Sequence, residues 1–285
     1  AASDVYKRQG IELDLGYRNS AGDFNYHASI NATYNKNTLT YLGDDAPSLY
    51  CSNHQTGQLT RGLVGLPFPY FYGFKSDGIF QNMDEVKAYT NAEGNMIMPN
   101  AEPGDVRFVD IDGDGVIGDG DKTYIGKGIP DWVFGLNLGF DWKGLDFSIL
   151  LQGQLGAQAY NVSRRIDLGA VNLPKYMLNR WTGEGSTNEY PRFTNTDPNQ
   201  NWSKASDFFI KDASYFRLKN VILGYTLPAS LTKKVFVNKL RVFVACENAL
   251  TFTKYDGFDP EVASYMDRGV YPQARTVQFG ANITF

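Results

Sequence analysis

Apolar and polar residues alternate at every second position over long stretches of this chain. Ile11, Leu13, Leu15 and Tyr17 alternate with Glu12, Asp14, Gly16 and Arg18, and Phe24, Tyr26, Ala28, Ile30, Ala32 and Tyr34 with Asn25, His27, Ser29, Asn31, Thr33 and Asn35. Trp132, Phe134, Leu136, Leu138, Phe140 and Trp142 form the cleanest series, with Val133, Gly135, Asn137, Gly139 and Asp141 between them. Phe147, Ile149 and Leu151, then Val221, Leu223 and Tyr225, then less cleanly Val242 and Val244, continue the pattern. The last series is Val277, Phe279, Ala281, Ile283 and Phe285. A period of two sends alternate side chains to opposite faces of a strand. It predicts about seven antiparallel strands, at 11–18, 24–38, 131–142, 145–156, 214–227, 240–252 and 273–285. Several exceed the roughly 5–6 residues usual in soluble sheets and reach the roughly 9–11 needed to cross a bilayer at a tilt. Phe24 and Tyr34, and Trp132 and Trp142, sit at the ends of the apolar face, where lipid-facing strands carry aromatic girdles.

The connections alternate in length. Residues 19–23 and 143–144 are short links, 228–239 is medium, and 39–130, 157–213 and 253–272 are long. Outer-membrane barrels have short periplasmic turns and long extracellular loops, and a barrel with a periplasmic C-terminus demands this phase. The fold class is therefore all-β, with membrane-facing Trp132, Phe134, Leu136, Leu138, Phe140 and Trp142, and extracellular loops at 39–130 and 157–213. Terminal Phe285 resembles the signal read by the outer-membrane assembly machinery. Single-chain bacterial barrels have an even number of strands, so an odd seven predicts more strands upstream. Residues 1–9 (AASDVYKRQ) fit no structural pattern and are expected to be a non-native leader before the barrel segment 10–285.

Charge and composition narrow the function classes. Lys and Arg total 27 and Asp and Glu 31, a net charge of −4, without the basic surplus of a nucleic-acid binder. No apolar run approaches the roughly 20 residues of a membrane helix, a criterion that says nothing of barrels. Cys51 and Cys246 are distant and read as free thiols, and His27 and His54 lack partners at metal-ligand spacing. There is no GxSxG, HExxH or phosphate loop, so the expectation is no enzyme. Aromatic residues crowd the long loops, at Tyr70, Phe71, Tyr72, Phe74, Phe80, Tyr89, Trp181, Tyr190, Phe193 and Trp202. They suit stacking on sugars or gripping peptides, or else the loops' own cores or a protein interface. The stretch 65–73 reads as packed structure.

The sharpest chemical motif is DIDGDGVIGDGD, Asp110–Asp121. It matches a calcium loop, with oxygen ligands at positions 1, 3 and 5, Gly at 6, a carbonyl at 7 and a carboxylate at 12. The ligands are expected to be Asp110, Asp112, Asp114, the Val116 carbonyl and Asp121, with Ca2+ in a structural role. Asp121 is one methylene shorter than the usual Glu, and no helix pair flanks the loop. The other reading is a solvated Asp/Gly turn.

Longer stretches carry a family resemblance. They are GDVRFVDIDGDGVIGDGDKTYIG (104–126), IPDWVFGLNLGFDWKGLDFSILLQGQLGAQAYN (129–161), IKDASYFRLKNVILGYTLP (210–228), RVFVACENALTFTKYDGFDPEV (241–262) and YPQARTVQFGANITF (271–285). In this order and spacing they resemble the C-terminal third of a SusC/RagA-type TonB-linked outer-membrane protein of the Bacteroidota. The resemblance implies the last seven strands of a 22-stranded transmembrane β-barrel in the cell outer membrane, whose N-terminal plug lies outside this sequence. It implies a SusD-type surface lipoprotein as partner, energy relayed by TonB, contact with outer-membrane lipid, and uptake of oligosaccharides or peptides. A soluble calcium-dependent carbohydrate-binding β-sandwich is the competing function. It differs in burying the aromatic face against a second sheet.

Overall fold

A computed structural model describes residues 5–43, 48–54, 57–162, 172–173, 175–194, 196–262 and 265–285. Seven antiparallel strands form one sheet in strict chain order: β1 Val5–Ala21, β2 Phe24–Tyr41, β3 Trp132–Trp142, β4 Leu145–Leu155, β5 Tyr215–Thr226, β6 Lys239–Thr253 and β7 Thr276–Thr284. Six of them match the predicted strands to within about three residues at each end. β1 differs, because its pairing with β2 continues back through Gln9↔Lys36 and Lys7↔Thr38 to Val5. Residues 5–9 are thus in a strand, contrary to the expectation that they fit no pattern. Main-chain hydrogen bonds to an extended neighbour do not require alternating side chains, so periodicity missed them.

Register makes the apolar face continuous. Residues directly opposite one another share a face. Leu136 stands opposite Ile30 on β2 and Leu151 on β4, and Leu138 opposite Ala28 and Ile149. The band continues through Ile149↔Val221, Leu223↔Val244 and Val244↔Phe279, and through Leu15↔Ile30 at the other edge. Two aromatic rows bound it. One holds Phe24, Phe140 and Phe147, with successive centroids 5.5 Å apart. The other holds Tyr34 beside Trp132 at 5.0 Å, and Phe134, Phe216 and Phe252 at 6.2 and 6.3 Å. The opposite face carries Asn31, Ser29, Asn137, Asp141 and Gln152. On it Arg241 Nε donates to Asp146 Oδ1 at 2.8 Å.

A bulge explains the weaker alternation in β5 and β6. Leu218 pairs with Leu151 and Leu250, yet Val221, three residues on, pairs with Ile149 and shares Leu218's face. One extra residue in β5 restores the face, as bulges do, and Asn248 takes a left-handed φ of 50° on β6.

Every short link lies at one end of the sheet, at 22–23, 143–144 and 227–238, and every long connection at the other. The long connections are not structureless loops. Leu49–His54, Gly57–Gly62, Tyr70–Phe74 and Lys122–Lys127 form a four-stranded sheet, and Ser76–Ile79 pairs with Val106–Phe108. Gln158–Asn161 joins Ile210–Asp212 and Met266–Asp267 in a third small sheet. Helix α1, Met83–Ala88, is capped by the Asn82 side chain, which accepts from the Glu85 amide at 2.9 Å. These segments bury their own cores. One contains Phe71, Tyr160, Tyr190, Trp202 and Phe209. A second contains Phe74, Phe80, Val86, Val106 and Phe108, and a third, smaller one Ala157, Ala159, Ala213 and Tyr255.

Candidate functional site

The Asp110–Asp121 segment links strand Val106–Phe108 to strand Lys122–Lys127, and so ties two small sheets together. Its entry is held by Tyr89, whose hydroxyl donates to the Phe108 carbonyl at 2.8 Å. Burial, foremost, raises that phenol above its ordinary value. Within the loop, each early aspartate accepts from an amide further on. Asp110 Oδ1 accepts from Gly113 and Oδ2 from Gly115, at 2.7 and 2.9 Å. Asp112 Oδ1 accepts from Asp114, and Asp114 Oδ1 from Val116. These turns need the left-handed backbone at Gly115 (φ +84°), where a Cβ would also stand 2.6 Å from the Asn91 amide.

The outcome is a convergence of charge. One oxygen each from Asp110, Asp112 and Asp114 lies within 4.8 Å of the others. The Asp112 carboxylate presses so close to Gly120 that a Cβ there would be 1.8 Å from Oδ2. Like charges at such a spacing repel by about 1 kcal/mol per pair even at the dielectric of water. Asp121 is not among the three. It is fully buried, and its oxygens accept from the Ile111 amide at 2.6 Å and the Gly118 amide at 2.7 Å. Val116 sits beside the group with its side chain exposed. The shorter aspartate thus closes the loop from beneath.

The remaining predicted residues divide cleanly. Trp132, Phe134, Leu136, Leu138, Phe140 and Trp142 lie together on the apolar face of β3. Phe285 lies just beyond β7, exposed and next in the series after Ile283. Six of the ten loop aromatics are core: Tyr70, Phe71, Phe74, Phe80, Tyr190 and Trp202 are buried. The 65–73 stretch is packed as expected, with the Phe68 amide donating to Asn37 Oδ1 at 2.9 Å and the Leu39 amide to Leu66 O. Cys51 and Cys246 are free thiols. The His54 side chain lies outside the described residues.

Two buried polar hubs escaped the sequence reading. Asp105, fully buried, accepts from Arg192 Nε at 2.6 Å, from Asn201 Nδ2 at 2.9 Å and from the Glu102 amide. Asn201 Oδ1 in turn accepts from the Val106 amide at 2.8 Å. Arg217 on β5 donates to Asp259 at 2.7 Å and Glu261 at 2.9 Å, holding the 254–275 connection to the sheet. Burial would raise the Asp259 carboxyl. The amides of Gln273 and Glu261 and the Arg217 guanidinium outweigh it and hold it below the usual range. Neither hub has a local sequence signal, because each arginine is separated from its carboxylates by more than 40 residues.

No family model matches the chain. It is 30% identical to TonB-dependent receptor P3 of Formosa agariphila over 98% of its own length and 29% of that protein's. It is 27% identical to TonB-dependent receptor SusC of Bacteroides thetaiotaomicron, over 92% of its length and 25% of that protein's. The RagAB peptide importer in its open-open state is similar in structure, with a TM-score of 0.75, 26% identity, and coverage of 99% of this chain and 29% of that one. The chain therefore spans less than a third of the length of each.

Proposed function

This chain carries the sequence and fold of a segment of the SusC/RagA-type TonB-dependent receptors, and from that premise we propose that it supplies seven neighbouring wall strands of an outer-membrane importer of oligosaccharides or peptides. The whole transporter works with a SusD-type surface lipoprotein and draws energy through TonB. The observation that carries the reading is the apolar face. It crosses all seven strands without a polar break and leaves Ile11, Leu15, Trp142, Val277 and Phe279 exposed. An apolar patch of this extent marks a membrane or a large partner. Its height fits a membrane. Trp132 and Trp142 close an 11-residue strand, about 33 Å long at about 3.3 Å per residue, and a tilt near 40° reduces that to about 25 Å, the height of a barrel's apolar band. A β-sandwich would bury this face. The long connections then stand outside the cell and the short links in the periplasm.

The test is uptake by the complete transporter. Cells lacking the gene should lose TonB-dependent import of a labelled oligosaccharide or peptide pool and regain it on complementation. The transporter should also co-purify with a surface lipoprotein. Import that persists without TonB would defeat the reading.

In the same reading, the Asp110–Asp121 loop holds a structural Ca2+. Asp110, Asp112, Asp114 and the Val116 carbonyl donate, and Asp121 fastens the loop behind them. Extracellular modules bind calcium weakly, on the order of 10⁻⁴–10⁻³ M, which suits a site missing a bidentate Glu. Chelator, or Asp112→Ala with Asp114→Ala, is expected to raise protease cleavage between Asn82 and Thr123 in the intact transporter. If calcium titration alters neither cleavage nor heat release, the segment is a turn and no more.

A further inference from the structure

One face of the four-stranded sheet in the first long connection sets an arginine among tyrosines. Tyr50 stands opposite Arg61, Arg61 opposite Tyr70, and Tyr72 opposite Tyr124. Leu59 and Phe71 occupy the reverse face, buried in the loop core. The Arg61 Cζ lies 4.6 Å from the Tyr72 ring centroid and 5.5 Å from that of Tyr50. Tyr70 packs against Tyr124 at 5.6 Å and Tyr72 at 6.4 Å.

The polar atoms of this face are short of partners. Arg61 Nη2 donates to Ser48 Oγ at 2.7 Å, but its buried Nε has no hydrogen bond. Among the described residues no carboxylate pairs with it, whereas Arg107, Arg192, Arg217 and Arg241 each hold at least one. The four tyrosine hydroxyls make no hydrogen bond with described residues either. Tyr50 is 72% exposed and Tyr124 37%, whereas Tyr70 is buried at 2%, so the face opens to solvent at Tyr50 and Tyr124 and is closed at Tyr70.

With Arg61 Nε buried, the Nη groups are the edge of the guanidinium left to meet a carboxylate or sulfate. A half-buried arginine with no carboxylate partner among the described residues carries a desolvation cost that an arriving anion offsets. Flat aromatic rings with unengaged hydroxyls meet the two surfaces of a pyranose, its C–H face and its hydroxyl edge. We propose that this face is a binding subsite for an acidic saccharide, with the anionic group on Arg61 and the sugar ring against Tyr50 and Tyr72. This rests on the importer reading and adds a substrate class to it. An acidic peptide would place its carboxylate equally well on Arg61. Its main chain, however, would pair with an edge strand, Leu49–His54 or Lys122–Lys127, rather than lie across the rings of this face.

Calorimetry on the complete detergent-solubilised transporter tests the assignment, with four probes: tetragalacturonate, a sulfated galactan tetrasaccharide, neutral galactotetraose and tetraglutamate. At least one anionic tetrasaccharide is expected to bind and galactotetraose to bind far more weakly. Arg61→Gln should weaken the anionic ligand by about tenfold or more, from loss of a charge-assisted pair, and Tyr72→Leu should weaken it through lost stacking. Arg61→Lys, which keeps the charge and loses the fork, should fall between, and it stands in if the Gln variant loses the wild-type gel mobility of the folded barrel. Which anionic sugar binds distinguishes carboxylate from sulfate. Absence of anionic-saccharide binding, or binding indifferent to Arg61, overturns the proposal, and an Arg61-dependent tetraglutamate signal alone overturns its sugar class. The measurement needs neither TonB nor an energised cell, so failed uptake leaves it intact.

Discussion

Arginine at Leu138 in the complete transporter is expected to destabilise the barrel by about 2–4 kcal/mol, the cost of a cation near the bilayer midplane. Leu138 lies between Ala28 on β2 and Ile149 on β4. It is on the aliphatic band between the two aromatic rows, so its guanidinium has hydrocarbon on every side. Arginine at Asn137, one residue earlier, points to the face that carries Ser29, where water hydrates the charge, and should cost under about 1 kcal/mol. Refolding of both variants into lipid vesicles, followed by urea titration, measures the difference. Equal tolerance at the two positions would mean that the apolar face is covered by protein, and the membrane assignment would fall. Leu136, between Ile30 and Leu151, should behave as Leu138 does.

The division of those adjacent residues between an apolar and a polar face was legible in the sequence because each face of a long strand keeps one kind of surroundings along its whole length. Uniform surroundings print a uniform period, and six of the seven strands follow from it. The period fails where geometry breaks it. At the bulge, Leu218 and Val221 share a face despite a spacing of three, so the pattern reads cleanly only after Val221. It fails again in the long connections, whose strands of two to six residues are too short to show a period and face neighbours on both sides. The convergence of the three aspartates was legible for a different reason: the residues are local. Asp110, Asp112 and Asp114 converge through turns of two to five residues, whereas Asp121, at the end of the same motif, turned to amides that only the folded loop presents. Arg61 and its tyrosines span strands from 49 to 127 and become neighbours only through pairing.

Asp105 is the residue whose loss is expected to cost the long connections most. It lies in the 39–130 connection, while Arg192 and Asn201 lie in 157–213, so its hydrogen bonds cross between the two. The crossing recurs nearby. The Ile79 amide donates to Asn188 Oδ1 at 2.7 Å, the Ser76 hydroxyl to Asp207 Oδ1 at 2.6 Å and the Phe74 amide to the Ala205 carbonyl at 2.8 Å. Asp105→Ala removes the carboxylate but leaves Arg192, largely buried, with only Glu102 at the loop surface. It also strands the amide of the fully buried Asn201. Removing one partner of a buried ion pair costs about 3–5 kcal/mol, and the remaining Glu102 places this case near the lower figure. Arg107→Ala breaks the pair with Asp77, whose side chain is mostly exposed, and should cost about 1 kcal/mol or less. Hydrogen exchange on the intact transporter separates the two. Asp105→Ala should speed exchange in 70–108 and 188–207 together while β3 and β4 keep their protection, because the two connections share one core and one hub. Faster exchange in a single connection would show that they fold independently, with Asp105 serving only its own.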